Sequence, residues 1–195
     1  VDNANQKNCR WYSGSGIYRH VWLIATDNVH IKHWGVGITT PQVNRDEAIV
    51  EITTLVKNDA DAPQNITLST KIKGEESGAE TLIEIEPGTE EQVVQRIEVK
   101  NPSLWSPDSP TLYQAEVEII HDNRVIDRTT HSFGIRTIAF NSNDGFLLNG
   151  VPVILNGGCV HHDNGSLGAA AYDRAEERKV ELLKAGGFNA VRTAH

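Results

Sequence analysis

Imidazole and guanidinium groups gather at one end of this sequence. His161, His162 and His195 fall within the final 35 residues, and Arg192 stands just ahead of the last of them. Imidazole both donates and accepts hydrogen bonds and changes charge near neutral pH, whereas guanidinium is a fixed cation with several donors. Such groups serve ligand binding or catalysis only if the chain holds them together, so the elements around them matter. Ile154-Leu155-Asn156 reads as a buried strand, and a glycine-rich loop of 16 residues covers 157–172. Asp173 with Glu176 three positions later has the form of a capping box, and Val180, Leu182 and Leu183 give the following helix an apolar side. Gly186-Gly187 stop that helix, and 188–193 resume as a strand. Strand, loop, helix and strand make a βαβ unit with parallel strands. His161 and His195 would then follow the carboxyl ends of the two strands, on the face where parallel barrels and open sheets bind ligands. Arg192 points to the same region or into a barrel interior, depending on register. A connection this long exceeds the usual 2–6 residues of such units and fits a binding loop.

Spacing alone leaves other readings open. A histidine beside glycine at a strand end also serves as a satisfied structural residue. His161, His162, Asp163 and His195 have the chemistry of zinc ligands, but adjacent residues of an extended chain point to opposite sides, which works against His161 and His162 sharing one ion. Sugar hydrolysis needs two carboxylates flanking the scissile bond. After residue 136 the acids are Asp144, Asp163, Asp173, Glu176, Glu177 and Glu181, and the last four belong to exposed helical turns. The chain contains no Gly-x-Ser-x-Gly, phosphate loop or Cys-x-x-Cys.

The middle of the chain has its own character. Residues 41–136 hold 18 Asp and Glu against 9 Lys and Arg, a net of −9 in a chain whose formal net is −8, so the rest sums to +1. Within them Val50, Ile52, Thr54 and Val56 alternate with more polar neighbours, as do Ile66, Leu68, Thr70 and Ile72, and Tyr113, Ala115, Val117 and Ile119. Period two is the mark of half-buried strands, and turn-rich clusters such as 57–63 and 86–89 separate them, which predicts an immunoglobulin-like β-sandwich. Three prolines in 101–110 exclude that segment from the ladders and make it an extended crossover. Trp105 and Tyr113 are expected to anchor it, although an aromatic face such as that of Trp105 also stacks on sugars. Asn149-Gly150 between Phe146-Leu147-Leu148 and Val151-Pro152-Val153 predicts a tight hairpin. In the first 40 residues Trp11, Tyr12, Tyr18, Trp22 and Trp34 are expected to crowd around Ser13-Gly14-Ser15-Gly16.

Composition narrows the function classes. A net charge of −8 and a pI near 5.4 lack the basic patch that grips a polyanion, so nucleic acid is not expected as a partner. The apolar runs, such as 151–155, fall far short of the roughly 20 residues that cross a bilayer, and no membrane association is expected. Cys9 and Cys159 stand 150 positions apart, in neither a disulfide framework nor a metal motif. Asn65-Ile66-Thr67 and Asn164-Gly165-Ser166 have the glycosylation spacing, which matters only in a secretory eukaryotic setting that nothing here establishes. A start at Val1 and the absence of Met suggest a piece of a longer protein.

Several strings together resemble family 2 glycoside hydrolases, the β-galactosidase and β-glucuronidase group. They are 10–19 (Arg-Trp-Tyr-Ser-Gly-Ser-Gly-Ile-Tyr-Arg), Asn101-Pro102 with Leu104-Trp105-Ser106-Pro107, Phe133-Gly134-Ile135-Arg136, Phe146-Leu147-Leu148-Asn149-Gly150, and 187–195 (Gly-Phe-Asn-Ala-Val-Arg-Thr-Ala-His). The resemblance implies a mainly β chain in which 1–40 end a jelly-roll sugar-binding domain, 41–136 form the sandwich and 137–195 begin a (β/α)8 barrel. It implies a retaining exo-β-glycosidase acting on carbohydrate, with His161 and His195 contacting sugar and stabilising the transition state and Arg192 lining the pocket. The catalytic acid/base and nucleophilic glutamates would lie beyond His195, leaving this piece inactive by itself. It implies no cofactor within these residues, leaves room for a divalent cation elsewhere in the barrel and for a homo-oligomer of the parent, and fits either bacterial periplasm or cytoplasm. Gly157-Gly158-Cys159-Val160-His161-His162-Asp163 departs from the family's common Gly-Val-Asn-x-His-Glu, so the sugar subtype stays open.

Overall fold

The computed structural model describes Asp2, Asn5 and residues 16–193. Cys9, Trp11, Tyr12, Ser13-Gly14-Ser15 and His195 lie outside the described residues. The chain divides into two compact units, Ala25–Val153 and a second made of Val1–Ile24 with Ile154–His195.

In the first unit the predicted alternation becomes seven antiparallel strands. They are β1 (Val29–Val43), β2 (Glu47–Asn58), β3 (Gln64–Ile72), β4 (Gly78–Ile85), β5 (Glu90–Lys100), β6 (Tyr113–His121) and β7 (Arg124–Phe133). One sheet has the order β1-β2-β5 and the other β4-β3-β6-β7. Val50, Ile52, Thr54 and Val56 all turn inward from β2, and Ile66, Leu68, Thr70 and Ile72 from β3, as period two requires. With Ile85, Ile97, Val99, Val117, Ile119 and Ile135 they make one apolar core, in which each large side chain contributes about 1.5–3 kcal/mol by leaving water.

Polar side chains join the sheets through that core: Asn58 of β2 donates from Nδ2 to the Ile85 carbonyl of β4 (2.9 Å), and Gln95 reaches further in. Gln95 of β5 accepts a hydrogen bond at Oε1 from Thr70 Oγ1 (2.6 Å), and its Nε2 donates to the Leu68 carbonyl (3.0 Å) and to Thr81 Oγ1 (3.0 Å). A buried amide is tolerable only when its groups are satisfied, and these partners lie on β3 and β4 of the opposite sheet. A further tie between the sheets lies at their edge, where the Ile31 amide of β1 donates to Asp127 Oδ2 of β7 at 2.7 Å.

The boundary expected at residue 41 falls inside β1, which pairs with β2 from Val29 onward. The alternation is masked there by a bulge between Ile31 and Val36, where Trp34 adopts φ 58° and points out to solvent. Ser13-Gly14-Ser15, with Trp11 and Tyr12 of the aromatic cluster expected around them, lie outside the described residues; the other three aromatic residues each lie against a histidine. Trp34 lies against His33, Trp22 against His20, and Tyr18 against His162.

The crossover behaves as an anchor segment. Trp105 N donates to the Ile135 carbonyl (2.8 Å), and Tyr113 Oη accepts from the Ser103 amide (2.9 Å). After β7 come β8 (Ile138–Asn141), β9 (Gly145–Leu148) and β10 (Val151–Pro152), a small antiparallel sheet ordered β10-β9-β8. Its tight turn places Asn149 at φ 53° and Gly150 at φ 76°, the positive-φ pair that the hairpin signal demands. Asn149 Nδ2 also donates to the Trp105 carbonyl, and its Oδ1 accepts from the Thr137 amide. Residues 137–153, expected with the barrel start, therefore group with the sandwich unit.

The second unit holds the predicted βαβ arrangement, with β11 (Gly157–Val160), α1 (Asp173–Ala185) and β12 (Ala190–Thr193), the two strands parallel. The first strand begins three residues later than hydrophobicity suggests, and the reason is an asparagine clamp just ahead of it. Asn156 N donates to Asn189 Oδ1 (2.8 Å), Asn189 N returns a bond to the Asn156 carbonyl (3.0 Å), and Asn189 Nδ2 holds the Ile154 carbonyl. Register then pairs Gly157 with Ala190, Cys159 with Arg192 and Val160 with Thr193.

The capping box does not form. Tyr172 occupies the N-cap with no side-chain bond, Asp173 is already helical and lies 2.9 Å from His20 Nε2, and Glu176 turns to the preceding loop. No described helix is long and apolar enough to cross a membrane.

Candidate functional site

β11 ends at Val160, so His161 stands at its carboxyl end, as the sequence predicts. The connection to α1 is 161–172, shortened by the four residues that β11 takes up yet still long for such a unit. His161 and His162 both line one cavity of about 350 Å³, together with Arg19, Val160, Glu176, Lys179 and Thr193. The expectation that the two histidines point apart fails because the chain leaves the strand and bends at His162. The segment before the sandwich joins this cavity too. The Tyr18 ring lies 5.6 Å from that of His162, its carbonyl accepts from the Ala171 amide (3.0 Å), and Arg19 supplies a cation to the lining.

Arg192 lies one residue before the cavity-lining Thr193, and its Nη1 donates to Cys159 Sγ at 3.4 Å. The structure thus brings Arg192 to Cys159 while His161 faces the cavity; His195 lies outside the described residues. Among the described residues no three His, Cys, Asp or Glu side chains converge as a metal ion requires, so the His161, His162 and Asp163 set gains no support as a metal centre.

The acids of this unit are mostly engaged. Asp173 faces His20, and Glu177 and Glu181 pair with Arg174 on the exposed face of α1. Glu176 Oε1 accepts from Asn164 Nδ2 (2.7 Å) and Oε2 from Lys179 Nζ (3.0 Å), contacts that hold its carboxyl below the ordinary range, with the Asn164 bond as the leading cause. Asp144, in the other unit, is bound by Asn141. Asp163 alone of the six is left without such a role, so the carboxylate pair that glycoside cleavage needs is not assembled from these acids.

Sequence reasoning missed Arg19, Glu176 and Lys179 as neighbours of the histidines, Asn164 as the partner of Glu176 and Cys159 as that of Arg192. Glu176 was visible as a helix-start signal and as one of six acids, and Asn164 only as a glycosylation triplet, because their pairing spans a loop of unknown shape. The opposite lesson holds for Trp105. The Arg136 guanidinium sits 4.7 Å from its ring centroid and a Cβ at Gly134 would come within 2.7 Å of Trp105 Cβ, so the side chain is packed as the expected anchor while it also lines a cavity of about 580 Å³.

A sandwich followed by a βαβ unit with an imidazole at a strand's carboxyl end is the arrangement of multidomain glycoside hydrolases. Comparison with known proteins makes that specific. The family model described as glycosyl hydrolases family 2 matches residues 29–136. The β-galactosidase BoGH2A of Bacteroides ovatus is 41% identical across all of this chain and 23% of its own length. A family 2 member from Bacteroides cellulosilyticus superposes with a TM-score of 0.93 at 46% identity, covering 98% of this chain and 27% of that one. The β-glucuronidase of Bacteroides uniformis does so at 0.86 and 32%, covering 100% and 25%. The chain belongs to family 2 of the glycosyl hydrolases. It spans about a quarter of the length of these relatives.

Proposed function

We propose that these residues serve a retaining exo-β-glycosidase that removes terminal β-D-galactosyl groups, acting as the sandwich and the beginning of the barrel within a longer protein. The observation that carries this reading is the parallel pair β11–β12, with His161 leaving the carboxyl end of one strand and Arg192 near that end of the other. Polar side chains at the carboxyl ends of parallel strands suit sugar hydroxyls and the charge that develops at the ring oxygen and the anomeric carbon, which supports this reading. His161, Arg192 and His195 take those contacts in this reading. The acid/base and nucleophilic glutamates come from later barrel strands, one attacking the anomeric carbon while the other protonates the leaving oxygen and then activates water.

Relatives named β-glucuronidase match at comparable identity, 36% for the putative enzyme of Formosa agariphila, which favours a uronide as the second reading. The test assays nitrophenyl β-galactoside and β-glucuronide with the longer protein and with the 195-residue chain. Release of nitrophenol by the longer protein from the galactoside, a fall of about 10²-fold in Arg192→Ala, and none from the chain alone is the expected pattern. Turnover by the chain alone that survives repurification sinks the proposal.

A further inference from the structure

A side-chain pair ties the loop that carries His161 and His162 to the helix behind it. Asn164 Nδ2 donates to Glu176 Oε1 at 2.7 Å, and the same amide group approaches the Ala170 carbonyl at 3.4 Å. The backbone folds around that asparagine. Asn164 N donates to the Gly168 carbonyl (2.8 Å), Leu167 N returns to the Asn164 carbonyl (3.2 Å), and the turn runs through Gly165 at φ 58° and Gly168 at φ 61°. Glu176 sits in the first turns of α1 and lines the cavity with both histidines. The loop has no strand of its own; Tyr18 holds it from the N-terminal segment through the Ala171 amide and the His162 ring, and Asn164 with Glu176 hold it to α1.

We infer that Asn164 and Glu176 are positioning residues, a latch between loop and helix that sets where His161 stands relative to the substrate. The inference rests on the glycosidase reading above. The chemistry of the pair supplies its own probe. Replacing Asn164 by Asp sets two carboxylates where one amide donated to one carboxylate. The charges facing them are Arg19 from the N-terminal segment, His161 and His162 from the loop, and Lys179 from α1. With both carboxyls ionised the pair repels and the loop is released; at lower pH one shared proton restores a hydrogen bond between them. The exchanged pair, Asn164→Asp with Glu176→Gln, rebuilds the same bond with its direction reversed at every pH.

The longer protein is assayed as wild type, Asn164→Asp, Asn164→Ala and the exchanged pair, across pH 5–8 on the nitrophenyl glycoside. Displacing a sugar contact by about 1 Å costs on the order of 10²-fold in kcat/KM, so Asn164→Asp is expected to lose about that factor near pH 7.5 and to recover most of it near pH 5. Asn164→Ala loses a similar factor with no recovery, and the exchanged pair returns to within about threefold of wild type. An Asn164→Asp profile that parallels wild type, or an exchanged pair no better than Asn164→Asp, overturns the latch. If wild type turns over neither glycoside, the glycosidase reading has failed. The latch is then judged by amide exchange in the 195-residue chain, where Asn164→Asp must speed exchange at Asn164 and Ala170 by about tenfold at pH 7.5 and the exchanged pair must not; unchanged exchange overturns it.

Discussion

Gly157 makes the sharpest test of how the candidate site is held. It opens β11 directly opposite Ala190, and a Cβ built on it would lie 2.2 Å from the Ala190 carbonyl oxygen and 2.7 Å from its carbonyl carbon. Ordinary contact begins near 3.4 Å, so Gly157→Ala must part the strands by about 1.2 Å, and the obstacle is backbone that no rotamer change can move. Overpacking of this kind costs about 1–3 kcal/mol, which raises the open population of the β11–β12 pair roughly 5- to 150-fold. Gly158 is the internal control. It sits one residue on, a Cβ there meets nothing within 4 Å, and Gly158→Ala should leave the pair intact. Amide exchange followed by NMR in the 195-residue chain reads both variants, at the strand amides of Cys159, Val160 and Val191. Fast exchange in Gly157→Ala with near-native exchange in Gly158→Ala is the expected pair of results. Equal behaviour of the two alanines would refute the claim that close backbone approach at Gly157 sets this pairing.

Three further outcomes follow from the sandwich. Gln95→Ala removes an amide that joins the sheets and leaves a cavity and an unpartnered Thr70 hydroxyl, so chemical denaturation should show a loss of about 2–4 kcal/mol. Gly134→Ala drives a methyl into Trp105, and thermal unfolding should shift down while Trp fluorescence reports a displaced ring. His131 is partly buried, and burial holds its pKa below the ordinary 6.5, so the unfolded chain takes up a proton first as the solution is acidified. Stability is therefore complete above about pH 6.5 and falls below it, and His131→Gln should flatten the denaturation midpoint between pH 7 and pH 5.5.

How much of this was legible in the residues depends on the range of the interactions. The sandwich strands were legible because alternation is local: each of Val50, Ile52, Thr54 and Val56 declares its side of the sheet by its own chemistry. The hairpin at Asn149-Gly150 was legible because positive φ has few takers. The start of β1 was not, since the bulge at Trp34 breaks the alternation that would have announced it. The start of β11 was missed for a related reason, because hydrogen bonds from Asn156 and Asn189, 33 positions apart, outweigh the apolar character of Ile154 and Leu155. Both of those apolar side chains stay exposed in this unit. Of the candidate site, the position of His161 at a strand end followed from element order alone. The company it keeps, Arg19, Glu176 and Lys179, depended on how a twelve-residue loop closes, and nothing local encodes that.

The bond from Ile31 to Asp127 has a consequence for the chain while it is being made. β1 is the outer strand of its sheet and, at 15 residues, the longest in the molecule, so its free side is a template for any passing extended segment. A carboxylate from β7 already occupies one of its outward amides, and the bulge that follows bends the rest away from a straight template. While unfinished strands are present together during synthesis, that small occupation works as a safeguard against pairing with the wrong neighbour. Asp127→Ala would thus be felt less in the melting point of the finished sandwich than in the yield of soluble protein from the ribosome.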